Sequence, residues 1–245
     1  YAEKMVAHAQ RFLKDKAYRK RTLKEYAPDA KIDKVDNIRF ETGNILDLGF
    51  PDKQFDKVVA ERVLINLPTR ELQADAVAEV ARVMKPGATW VMVEVTEQGH
   101  AGVDRLRTKF GLSIIEKYWH NLYVDEPWFA KVAKREGLVI KAINRFETYQ
   151  FMTKVVHPMV VAPAEPSFMA GYNVAAREVA KKYPDFASVK KIGLDRFMKR
   201  VFRGALKKFD PAKLAAYDRI VPAILKAKPD FSGCSHQVLF LLRKK

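Results

Sequence analysis

Cysteine is almost absent: Cys234 is the only one among 245 residues. A single thiol excludes an internal disulfide framework and any zinc site built from cysteines, and it fits a reducing, cytoplasmic setting. No metal site is expected. Long apolar runs are missing too. No window reaches 18 consecutive apolar residues, so no membrane-spanning helix is expected. Acidic residues are scarce beside basic ones, 29 against 45, which leaves a net charge of +16. So large an excess points to an anionic partner: a phosphorylated substrate, a membrane surface or nucleic acid. No internal repeat, low-complexity tract or RNA-reading signature stands out. What remains is globular. At 48% hydrophobic residues the chain is too apolar to be disordered, and its length fits one α/β domain or one domain with a large insert.

Periodicity supplies an outline. Residues 3–27 read as a helix, with Met5, Ala9, Phe12 and Leu13 on one face, and Pro28 to Asp36 as a loop. Residues 37–42 alternate and predict a strand closed by Gly43, followed by a turn at Phe50-Pro51-Asp52. Residues 56–60 predict a second strand. Thr69 caps a helix through Met84, stopped by Lys85-Pro86-Gly87, and residues 89–95 predict a strand buried on both faces. Strand, helix and strand with short connections imply parallel pairing. A broken aromatic helix over 103–123, a helix over 126–136, a strand over 138–149 and a last strand over 237–243 follow. Between those last strands lie roughly 85 residues, too many for a loop. They read as helices near 172–183, 193–209 and 211–227 after a stretch punctuated by Pro158, Pro163 and Pro166. Residues 181–213 hold eleven lysines and arginines against three aspartates. Phe197, Val201, Leu206 and Phe209 interleave with them, which suits a docked helix or one lying on a membrane surface.

In an open parallel sheet, ligands bind at the carboxyl ends of the strands. Three such ends are polar: Gly43-Asn44-Ile45 to Asp52, Glu61-Arg62 to Asn66-Leu67-Pro68, and Glu94 to His100.

Several segments together carry a family resemblance. They are Gly43-Asn44, Leu48-Gly49-Phe50-Pro51-Asp52, Phe55-Asp56-Lys57-Val58, Val63-Leu64-Ile65-Asn66-Leu67-Pro68, Arg82-Val83-Met84-Lys85-Pro86-Gly87 and Glu94. In this order and spacing, residues 37–97 resemble the C-terminal part of class I S-adenosylmethionine-dependent methyltransferases. The resemblance implies a Rossmann-like α/β sheet with helices on both faces and a helical insert before the last strand. It places the core at 1–150, a basic helical insert or lid at 151–235 and a last core strand at 236–245. The implied cofactor is S-adenosylmethionine, with S-adenosylhomocysteine as product. Glu61-Arg62-Val63-Leu64-Ile65-Asn66-Leu67-Pro68 with Gln73, Arg105-Leu106-Arg107 and Trp119-His120-Asn121-Leu122-Tyr123 further resemble methyltransferases found with sugar-modifying genes. The family's glycine-rich first strand end and the acidic end of its second strand are not in this chain. The expectation is that residues before Tyr1 exist in the native protein and carry them. Asn44 stands where the family usually has Asp, and it still offers an acceptor to an adenine amino group.

Methyl transfer from a sulfonium asks for alignment and removal of a proton. The candidate bases are Glu94, His100 and His120. Each has a plainer reading: a strand-end carboxylate satisfied by N–H groups, an exposed loop histidine and a half-buried one. Gly43, Asn44, Ile45, Glu61, Arg62 and Asn66 are expected at the cofactor, with capping and loop bracing as the alternative for Arg62 and Asn66. Arg105 and Arg107 would grip an anionic acceptor or face solvent. Trp119, Asn121 and Tyr123 would line an acceptor site, although Trp119, Tyr123 and Trp128 also suit core packing. The expected activity is O- or N-methylation of a small or glycosidic acceptor. An RNA methyltransferase and a non-catalytic partner subunit are the alternatives.

Overall fold

The computed structural model describes residues 2–26, 32, 35–161 and 171–245. Tyr1, most of the loop expected over 28–36, and Pro163 with Pro166 lie outside the described residues. The chain divides into two compact units, Tyr1–Gly49 and Phe50–Lys245.

In the first unit the single helix expected over 3–27 is two: α1 (Ala2–Lys14) and α2 (Lys16–Tyr26). The break has a local cause. Asp15 turns its carboxylate to the Tyr18 backbone N–H at 2.9 Å, an N-cap for α2. The Arg19 guanidinium donates to the Phe12 and Leu13 carbonyls at 3.1 and 2.7 Å, closing the free end of α1. The strand expected over 37–42 is absent. These residues join no ladder, and Ile38 and Phe40 are both exposed. Alternation alone does not hold a strand that has no partner. Asn44 instead builds a tight turn, its side chain accepting from Leu46 N–H at 3.1 Å and its carbonyl from Asp47 N–H at 3.0 Å.

The second unit is built on a mixed four-stranded sheet in the order β1-β2-β4-β3. The strands are β1 (Phe55–Glu61), β2 (Met84–Val95), β3 (Leu138–Arg145) and β4 (Gln237–Lys244). β1 and β2 are parallel, whereas β4 runs antiparallel to both β2 and β3. The crossover helix α3 (Arg70–Val83) starts at the Thr69 cap, as expected, and Thr69 Oγ1 accepts from Leu72 N–H at 3.2 Å. β2 begins five residues before its expected start. Phe55 pairs with Met84 and Lys57 with Thr89, so Lys85-Pro86-Gly87 is absorbed as an irregularity in the ladder. α5 (Glu126–Arg135) covers one face, where Phe129 meets Trp90 and Phe240 edge-on at 6.4 and 5.0 Å.

α4 (Glu97–Lys109) corrects the aromatic helix expected over 103–123: it starts earlier and stops earlier, and residues 112–123 form no helix. Its N-cap is Thr96, which accepts from Gly99 N–H at 3.1 Å and donates to Glu126 at 2.7 Å. β3 also ends earlier than expected, at Arg145. Phe146 N–H turns to the Ser235 hydroxyl at 3.0 Å, and Glu147 accepts from Phe186 and Gly233 N–H at 2.9 and 2.8 Å, so the chain leaves the sheet.

Helices fill the described chain from there to β4. The first run is α6 (Glu147–Gln150), a π-helical turn over Phe151–Val156, and α7 (His157–Val160). Next come α8 (Gly171–Lys182) and α9 (Phe186–Ile192). α10 (Leu194–Arg196), a second π-helical turn (Phe197–Phe202) and α11 (Arg203–Phe209) form one run, and α12 (Leu214–Ala227) completes the set. Their own core gathers Phe151, Tyr172, Phe197, Phe202 and Tyr217. Phe197 and Leu206 lie fully inside it, so the apolar stripe of the basic helix is spent on packing rather than offered to a membrane. Among the described residues no helix is long and apolar enough to cross a membrane.

Candidate functional site

The carboxyl end of β2 delivers Glu94, which is fully buried. One carboxylate oxygen accepts from Val63 and Leu64 N–H, both at 2.8 Å, and so holds the turn that follows β1. The other oxygen is buried and has no hydrogen-bond partner among the described residues. Burial pushes the carboxyl up to about 7, against the pull of the N–H donors. Glu94 thus braces a loop, and one of its oxygens is already committed. A raised carboxyl pKa means the folded state holds the proton that the unfolded chain releases, so its contribution to stability fades as pH climbs from about 4.5 through 7. Glu94→Gln keeps an acceptor for both N–H groups and cannot ionise. It is expected to abolish a loss of up to ~3 kcal/mol between about pH 4.5 and 8, seen as the difference between the pH profiles of the chemical-denaturation midpoint of the two proteins.

The turn it holds carries Glu61, Arg62 and Asn66, all exposed. Arg62 has a left-handed backbone (φ 52°), uncommon for a residue with a side chain and costly by about 1 kcal/mol or more. Its N–H donates to Val93 O at 2.8 Å, and its carbonyl accepts from the Asn66 amide at 2.6 Å. That geometry turns the chain sharply at the end of the strand. Neither Glu61 nor Arg62 joins an ion pair among the described residues. Gln73, fully buried on α3, ties this turn to the chain after α4, donating to Leu64 O at 3.0 Å and Leu122 O at 2.8 Å.

His100 lies not in a loop but in the first turns of α4, buried. Its Nε2 faces the Asp104 carboxylate at 3.2 Å, one helical turn on. Its Nδ1 faces His236 Nδ1 at 3.2 Å. Opposite a carboxylate the His100 Nε2 must carry the proton, which leaves Nδ1 as an acceptor for His236 Nδ1–H. The row runs Asp104, His100, His236, and no bond to His236 Nε2 is formed among the described residues. Tyr123 packs edge-on against both rings, with centroids at 5.0 and 5.9 Å. His236 is pushed down to about 4, by burial first and then by Lys154, His100 and Arg62. Burial also lowers His100, with Asp104 opposing it. Both imidazoles are therefore neutral near pH 7. The same environment lifts the Tyr123 phenol and lowers the Lys154 ammonium, each mainly through burial. Lys154 comes from a π-helical turn, an irregularity that recurs at functional sites.

Of the remaining candidates, Arg107 reaches inward and donates to the Ser113 and Lys154 carbonyls at 2.6 and 2.5 Å, which pins the chain after α4. Arg105 is exposed and approaches Ser232 O at 3.5 Å. His120 is exposed and lies apart from the histidine row, against Tyr118 and Trp119. Trp119 is 95% exposed and packs in no core. Asn121 has a buried side-chain oxygen without a hydrogen-bond partner among the described residues. Gly43, Asn44 and Ile45 belong to the first unit, where Asn44 forms the turn described above. Among the described residues no group of three or more His, Cys, Asp or Glu side chains is placed to hold a metal. His236 and Asp104 escaped the reading of the sequence. The signal for Asp104 was its i+4 spacing from His100, and for His236 its position directly before the last strand.

Residues 2–92 match the family model of the methyltransferase domain. Over 97 residues the chain is 33% identical to the ubiquinone/menaquinone biosynthesis C-methyltransferase UbiE of Bradyrhizobium sp. strain BTAi1, an alignment covering 40% of this chain. The chain spans about a third of the length of that curated relative, 34%. Among solved structures it is similar to a SAM-dependent methyltransferase from Archaeoglobus fulgidus (11% identity, 85% of this chain and 68% of the other, TM-score 0.41). It is also similar to geranyl diphosphate methyltransferase in complex with GPP and sinefungin (13% identity, 93% and 58%, TM-score 0.42).

Proposed function

We propose that the chain is the acceptor-side part of an S-adenosylmethionine-dependent methyltransferase, acting on a small-molecule acceptor that loses a proton as it is methylated. The observation that carries this reading is the Asp104–His100–His236 row at the carboxyl end of β2, ending in an imidazole nitrogen with no bond among the described residues. When bound, the cofactor supplies an electrophilic methyl group on a sulfonium. Glu61, Arg62 and Asn66 suit its amino-acid end, because an exposed carboxylate, an exposed guanidinium and an amide oxygen match an ammonium and a carboxylate. His236 Nε2 accepts the acceptor's proton. His100 holds His236 in the tautomer that leaves Nε2 free, and Asp104 holds His100. Tyr123 packs against both rings and limits their access to water. An oxygen or nitrogen nucleophile, on a small molecule or a sugar, has the proton this row is built to take.

Calorimetric titration of S-adenosylhomocysteine tests the cofactor half. Micromolar binding, about −7 to −8 kcal/mol, is expected from a sample that includes any residues preceding Tyr1 in the native protein. Its absence there would leave the non-catalytic subunit as the better description. A second reading, RNA as acceptor, draws on the exposed Lys190, Lys191, Arg200, Lys207 and Lys208. A small-molecule enzyme is expected to bind RNA only weakly, with affinity gone near ~0.15 M salt. Structure-selective binding that survives that salt would favour RNA instead.

A further inference from the structure

A cavity lies beside the start of β4, where Gln237 lines it. It holds about 510 Å³, within the range of small-molecule sites, between the end of β3, α6 and α8. Phe146, Tyr149, Ala180 and Pro184 give it an apolar wall. The polar groups are uneven: the Asn144 and Gln237 amides sit at the sheet side, and the charged groups are of one sign. Arg177 and Lys181 line it, and no carboxylate does. Lys181 is paired with Glu178, whereas Arg177 is exposed and joins no ion pair among the described residues. Gln150 also lines the cavity, only 2% exposed, and its side-chain oxygen is buried with no hydrogen-bond partner among the described residues. A buried amide oxygen without a donor costs about 1–3 kcal/mol, which a ligand donor or water would recover.

We infer that this cavity binds an amphiphilic acid: an apolar body against Phe146, Tyr149, Ala180 and Pro184, and a carboxylate or phosphate at Arg177. Gln150 meets a hydroxyl or amide N–H on the ligand where one is present. Each part follows from the lining. The Phe146, Tyr149, Ala180 and Pro184 wall disfavours a sugar, most of whose hydroxyls would be stripped of water there and left unbonded. An unpaired guanidinium at an apolar cavity favours an anion over a neutral or cationic head. The site involves none of the residues assigned to methyl transfer, and it stands whether or not that activity is found.

The test is calorimetry without any methyl donor, with dodecanoate and dodecanol as probes, both kept below the concentration at which they aggregate. Saturable binding of one dodecanoate per chain is expected, at least 10-fold tighter than dodecanol. Ala180→Trp, which fills the cavity from α8, is expected to abolish binding of both probes while leaving the circular dichroism spectrum unchanged. Arg177→Gln is expected to weaken dodecanoate about 10-fold and to leave dodecanol alone. No saturable binding of dodecanoate, or binding indifferent to Ala180→Trp, overturns the site. Equal affinity for the two probes, or equal losses for both in Arg177→Gln, overturns the anionic head group. Should Ala180→Trp fail to fold, Pro184→Trp at the same wall takes its place with the same expectation.

Discussion

Replacing His236 by Gln is expected to lower turnover by 10²–10⁴-fold, the usual cost of losing a positioned general base, with little change in the affinity for S-adenosylhomocysteine. The His236 ring is only partly buried and sits at the rim of the row, so the variant is expected to fold. The pH dependence separates a base from a structural histidine. With His236 held down to about 4, the nitrogen is already free at any pH above that value. The acid limb of kcat/KM is therefore expected near pH 4, not near 6.5 where an unperturbed imidazole would put it. Stability runs in the same direction. A histidine whose folded pKa lies below its unfolded one leaves the unfolded chain binding more protons between those values, so stability falls as pH drops from about 6.5 towards 4. His236→Gln should remove part of that acid sensitivity along with the rate. His100→Gln tests positioning. It can still accept from His236 but offers no ring for Asp104 to orient, so a smaller loss of rate is expected, with the acid limb moved upward because His100 is one of the groups that hold His236 down. A limb that stays near pH 4 in both variants at full rate would take the row out of the chemistry.

The sheet and its crossover were legible because each element has a local cause. β1 and β4 are short apolar runs, α3 starts at a cap and keeps its apolar residues at helical spacing, and β2 is buried along most of its length. The failures have causes as well. Residues 37–42 carry a strand's alternation without a ladder to join. The break at Asp15 depends on one carboxylate reaching Tyr18 N–H, and the early end of β3 on Ser235, some ninety residues away in sequence. For the candidate site, the sequence singles out Glu94 and His100 by their place after a strand, but not their partners. Burial and the two N–H bonds that turn Glu94 into a brace come from the turn after β1. The partner of His100 arrives from the other end of a helical segment, and no periodicity marks it. Pattern places a residue at a strand end; only the fold shows which other ends arrive there.

Two glycine substitutions bring this dependence down to a single methyl group, and they should have opposite signs. A Cβ built on Gly99 would lie 2.0 Å from Ser235 O and 2.9 Å from Thr96 Oγ1. The first contact is with backbone, and that backbone is pinned. Ser235 N–H bonds Gly233 O at 3.0 Å, Gly233 N–H bonds Glu147 at 2.8 Å, and the Ser235 hydroxyl holds Phe146 N–H at 3.0 Å. Gly102, three residues further on the same helix, also faces the loop closely, since a Cβ there would lie 2.5 Å from Gly233 O, so α4 cannot tilt towards the loop to relieve the clash. Alanine is the better helix former by about 1 kcal/mol, but overpacking against fixed backbone costs about 1–3 kcal/mol and occasionally more. The net expectation for Gly99→Ala is a loss of ~2 kcal/mol, or a melting temperature lower by about 4–8 °C for a domain of this size. Gly204 sits exposed in α11 with nothing within 4 Å of its Cβ position, so Gly204→Ala is expected to gain up to ~1 kcal/mol. Both are read by thermal melts. Gly99→Ala has a second consequence, because the contact it disrupts sets the distance between the two histidines. α4 moves off the loop only by carrying His100 away from His236, so the 3.2 Å contact opens. Activity should then fall well below melting, in protein that is still folded, whereas Gly204→Ala should leave it untouched.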